Sequence, residues 1–130
     1  MNNLLEENNK INIARENPLE LASRAHQKFL LTGDSDDLKS AIDYYVETIR
    51  EKPEISKTYY RLASLMHETG QISLQGAIEQ CRQAVIMDSN NPDAHMYLGY
   101  FLALNGDKNL AREEFKTSIK LNPCHLQEQE

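Results

Sequence analysis

Residues 95–123 read HMYLGYFLALNGDKNLAREEFKTSIKLNP, and the punctuation of this stretch decides the fold. Leu98, Phe101 and Leu102 recur at helical spacing before Gly106, and Leu110, Ala111, Phe115, Ile119 and Leu121 do so after it. A glycine in that place ends the first helix, because the residue just past a helix favours the left-handed conformation. Pro123 cannot continue the second. The stretch therefore predicts two amphipathic helices joined by a tight turn.

The same plan appears twice more upstream. Gly33, Gly70 and Gly106 stand 37 and 36 residues apart. A second anchor, an alanine followed four residues later by a ring or a thiol, occurs as Ala41/Tyr45, Ala77/Cys81 and Ala111/Phe115, at intervals of 36 and 34. Pro53 and Pro123 each fall eight residues after the larger member, with Ser89 in that place in the middle unit. Apolar stripes predict helices over about 18–31, 37–51, 56–69, 74–87, 91–104 and 108–121. Asn17 is read as the cap and Pro18 as the first residue of the first helix. A fixed period in the thirties with two helices per unit marks a helical solenoid, in which each pair buries its apolar face on its neighbours. Ala41, Ala63, Ala77, Gly99 and Ala111 allow backbones to approach, and a large residue at Gly99 is expected to overpack that contact.

These residues resemble the tetratricopeptide repeat. The last unit matches its pattern at Leu98-Gly99, Gly106, Ala111, Phe115 and Pro123, with His95 and Leu102 in place of the usual aromatics. The middle unit, 59–92, is similar, with Ala63 as the small residue and two extra residues between Gly70 and Ala77. The first unit diverges, with His26 where a small residue is expected. The resemblance implies an all-α, right-handed α-α superhelix of about three such helix pairs. They would span 18–123 as units 18–55, 56–91 and 92–123, between a polar arm at 1–17 and a tail at 124–130.

Composition narrows the chemistry. With 130 residues the chain is sized for one domain of about 150 residues. The net charge of −6 argues against a nucleic-acid partner, since duplexes are bound mainly through Lys and Arg. No apolar run approaches the roughly 20 residues of a membrane span, and the start shows no secretion signal, so no membrane association and a cytoplasmic location are expected. Two cysteines, Cys81 and Cys124, are too few for a disulfide scaffold. The four histidines follow no metal-ligand spacing, and Cys81 occupies an inward position as a small hydrophobe rather than a nucleophile. No phosphate loop or catalytic motif is present. Neither a cofactor nor catalysis is expected.

Binding of another protein is the function that the resemblance implies. In such repeats the first helices line an inner groove, which would present Lys57, Tyr60, Ser64, His67 and Glu68, then Asp93, Met96, Tyr100, Ala103 and Leu104. Tyr60 and Tyr100 are expected to be exposed there and to converge with Met96 as anchors for a peptide or helix. Ser64 and Tyr100 stand where a chaperone-tail carboxylate clamp would place asparagines, and Asp93 and Met96 supply no cation, so no such clamp is expected. Leu110, Phe115 and Ile119 on the last helix are expected to remain partly open and to make a contact, most simply a two-fold homodimer. Alternatives are a structural or assembly role through the solenoid ends, or a regulatory fragment of a larger enzyme.

Overall fold

The computed structural model describes residues 16–122, which form six α-helices; among them there is no β-strand. In order they are α1 (Pro18–Thr32), α2 (Ser35–Glu51), α3 (Ser56–Glu68), α4 (Leu74–Met87), α5 (Pro92–Leu104) and α6 (Lys108–Leu121). The arm expected at 1–17, the tail at 124–130, Pro123 and Cys124 lie wholly or mostly outside the described residues. The chain divides into two compact units, Met1–Glu51 and Lys52–Glu130.

The helix ends follow from local chemistry. Asn17 caps α1 as expected, its Oδ1 accepting the Leu19 N–H at 3.0 Å, with Pro18 at the first position. Asn91 does the same for α5, accepting from Asp93 and Ala94. Gly33, Gly70 and Gly106 have φ of 70°, 75° and 90°, the left-handed values that end each first helix. The second helix of the first pair begins at Ser35 rather than Asp37, because Asp34 Oδ1 accepts the Asp36 N–H at 2.8 Å and nucleates the turn earlier. The extra residues of the first pair thus lengthen α2, whereas those of the second pair widen the turn before Ser73, whose hydroxyl accepts the Gly76 N–H. Ala77 remains fully buried, so the core register is unchanged.

In the first unit, α1 packs on α2 around Ala22, Ala41 and Tyr45, all fully buried. His26 takes the place of a small residue, and its Nδ1 lies 3.0 Å from the Tyr45 hydroxyl with the rings edge to face. A polar ring pair therefore stands where close backbone approach was expected.

In the second unit, α3–α4 and α5–α6 are antiparallel neighbours, and α5 also packs against both α3 and α4. Ala63, Ala77, Ala84, Ala94 and Ala111 are buried between the helices, with Ile78, Cys81, Leu98, Phe101 and Leu102 filling the space around them. Two serines tie helix ends within the pairs. Ser56 Oγ donates to the Ala84 carbonyl and Ser118 Oγ to the Pro92 carbonyl, each at 2.8 Å. No described helix is long and apolar enough to cross a membrane.

Candidate peptide-binding groove

Because α3 and α5 lie side by side, Ser64, His67 and Glu68 of α3 come opposite Met96 and Tyr100 of α5. An open groove of about 610 Å³ runs between them. Tyr97, Phe101 and Phe115 complete its apolar lining. The aromatic groups are mutually braced. The His67 and Phe101 rings meet edge to face at 5.2 Å, and Tyr100 meets Phe101 at the same distance. Such contacts hold rings in place beyond what area burial supplies, by about 0.5–1.5 kcal/mol each. Tyr100 is 52% exposed and presents a fixed aromatic face to the groove. The lining holds one carboxylate, Glu68, and no lysine or arginine.

Tyr60 requires a correction. It is only 2% exposed, and its ring stacks on Tyr97 at 4.7 Å between centroids. Its hydroxyl meets the Asn91 side chain that caps α5. Burial raises the pKa of Tyr60, against the lowering effect of that hydrogen bond, and burial likewise raises that of Tyr97. Tyr60 thus fills the gap between α3 and α5, and its truncation would act on stability. Lys57 is half-buried and Asp93 exposed near the starts of these helices, and neither lines the groove.

Three lining residues were missing from the groove read in the sequence. Tyr97 had no assignment, and Phe101 and Phe115 were read on the apolar stripes of their helices, Phe115 also as part of an open contact face. A signal for Phe115 existed: it is the counterpart of Tyr45 and Cys81 in the Ala-anchor series, both of which are fully buried. Leu110 also separates from its expected partners. Leu110 and Ile119 are 54% and 37% exposed, but nine residues at about 3.6 per turn place them on opposite flanks of α6. Ile119 lines a second groove with Phe115, whereas Leu110 does not.

Other polar groups are structural. His95 is buried, with Nδ1 2.7 Å from a Glu114 carboxylate oxygen and Nε2 2.8 Å from the Ser89 carbonyl oxygen. It thereby joins α5 to α6 and to the turn before α5. Burial pushes the Cys81 thiol up to about 12, as suits a packed side chain rather than a nucleophile. Among the described residues, no three His, Cys, Asp or Glu side chains come together to hold a metal.

No protein-family model matches the sequence, and a search of curated proteins finds no match. Solved structures do match. The second TPR of Spaghetti (RPAP3), bound to the HSP90 peptide SRMEEVD, is 18% identical with a TM-score of 0.65, over 87% of this chain and 99% of that one. The first TPR domain of human RPAP3 is 19% identical with a TM-score of 0.67, covering 82% and 80%. The TPR2B domain of yeast Sti1, in its pHsp70 complex, is 20% identical with a TM-score of 0.65, covering 81% and 80%. Three helix pairs with glycine turns, small residues at the close contacts and this structural likeness give one conclusion: the chain has the all-α tetratricopeptide-repeat fold.

Proposed function

We propose that the chain is a non-enzymatic interaction module that holds a short segment of a partner protein in the groove between α3 and α5. The observation that carries this reading is a preformed, largely apolar groove with Tyr100 fixed and half exposed beside Met96. Rigid aromatic surface is the commonest source of concentrated binding energy, because little side-chain freedom is lost on contact. Similar domains have been solved with peptides of HSP90 and Hsp70, which supports a peptide as the ligand class. Those of known sequence, SRMEEVD and SGPTIEEVD, are acidic, whereas this groove offers Glu68 and no lysine or arginine. The segment held here is accordingly anchored by apolar or aromatic side chains rather than by a terminal carboxylate.

Selection of peptides from a displayed random library, followed by calorimetry, tests the reading. Selected peptides should lose roughly thirtyfold in affinity on Tyr100→Ala, the equivalent of about 2 kcal/mol at a central contact. The thermal midpoint should stay nearly unchanged, and SRMEEVD should fail to compete. Peptides whose binding ignores both Tyr100→Ala and Met96→Ala would place the site elsewhere.

A further inference from the structure

The chain has a formal charge of −6, yet α6 gathers Lys108, Arg112, Lys116 and Lys120 at four-residue intervals. Residues four apart share a helix face, so these four form one slowly winding basic ridge, and all are exposed. Lys116 reaches Glu113 at 3.6 Å in an open i,i+3 pair that contributes little. The other three side chains form no ion pair among the described residues. One position behind the ridge runs a parallel apolar row, Ala111, Phe115 and Ile119. Together with Ala103 of α5 this row floors a second open groove of about 430 Å³, walled by Lys108, Arg112 and Lys116.

We propose that this face of α6 is a docking surface for an acidic amphipathic helix of a partner protein. Such a helix carries an apolar row and an acidic row side by side at the same rise of about 6 Å per four residues as α6, so both rows match at once. The apolar row covers Phe115 and Ile119 while glutamates or aspartates meet the basic wall. A second copy of this chain fits less well. A two-fold contact sets a patch against itself, which puts two basic ridges into one interface with no acidic row to meet them. This surface shares only Phe115 with the peptide groove, so it stands independently of that reading.

The probe is a synthetic, end-blocked helical peptide of about 18 residues with glutamate at every fourth position beside a leucine row, labelled for fluorescence anisotropy with the full chain. Its counterpart carries lysine at the same positions. The acidic peptide should bind at least about tenfold tighter than the lysine peptide, and at least about tenfold tighter in 50 mM than in 300 mM salt. The paired reversal R112E/K116E should remove that preference and admit the lysine peptide, whereas Tyr100→Ala should change neither. Equal binding of both peptides, no saturable binding, or indifference to R112E/K116E would overturn the proposal. So would sedimentation showing a dimer that Ile119→Asp dissolves, or binding to anionic phospholipid vesicles without binding to the acidic peptide.

Discussion

Replacing Gly99 with alanine tests a close contact between α5 and α6 in the second unit. A β-carbon there would lie 2.8 Å from Cε1 and 2.9 Å from Cδ1 of Phe115, with Cζ at 3.1 Å. Those distances oblige the ring to move. Overpacking of this kind costs about 1–3 kcal/mol. Against it stands the helical preference of alanine over glycine, about 1 kcal/mol in a helix interior. The net expectation is a loss of about 1 kcal/mol, or about 4 °C in the thermal midpoint for a chain of this size. The sign should reverse once the ring is gone. In a Phe115→Ala background the same substitution should stabilise by about 1 kcal/mol, since only the helical preference remains. The two backgrounds thus differ by about 1–3 kcal/mol, a coupling that a double-mutant cycle isolates. With no tryptophan and six tyrosines, far-ultraviolet circular dichroism in urea is the direct readout. An equal effect of Gly99→Ala in both backgrounds would refute the contact as the reason for glycine at this position.

Cys81 should resist iodoacetamide at pH 8 in the native protein and react once urea unfolds it, as mass spectrometry of its tryptic peptide would show; burial and a pKa pushed up to about 12 both predict this. Tyr60 and Tyr97 have raised pKa values, so the unfolded chain loses these protons first, and stability should fall as pH rises through about 10 and beyond. Urea midpoints at pH 9 and 11 should show a smaller drop for the Tyr60→Phe and Tyr97→Phe variants than for the natural protein. Glu114→Ala should cost about 1–3 kcal/mol by leaving buried His95 with one partner, again measured in urea. Thr58 is fully buried, and its Oγ1 has no hydrogen-bond partner among the described residues, so Thr58→Val should be neutral or stabilising by about 1 kcal/mol.

Much of this architecture is legible in the chain alone because its determinants are local. A glycine past a helix, an asparagine before a proline and an apolar stripe at helical spacing act over a turn or two of backbone. Six helices and three glycine turns were therefore readable, as were the inward positions of Ala77 and Cys81. His26 was a visible exception, but its pairing with Tyr45, 19 residues on, was not. The groove was only half legible. Ser64, His67, Met96 and Tyr100 line it as read, whereas Tyr60 was drawn from the same pattern and proved to be core.

Periodicity states on which side of a helix a residue stands. It does not state what covers that side at a given height along the axis. Tyr60 and Tyr100 are equally good groove tyrosines by angle. Tyr97, 37 residues from Tyr60 in the chain, covers one, and the other is left half open. Leu110 and Ile119 were grouped as one apolar set, and the turn of the helix put them on opposite flanks. The helices, their turns and the small residues at the close contacts follow from the chain alone, because these depend on near neighbours. Which aromatics are sealed and which meet solvent was decided only by tertiary packing, because that depends on side chains brought in from helices dozens of residues away.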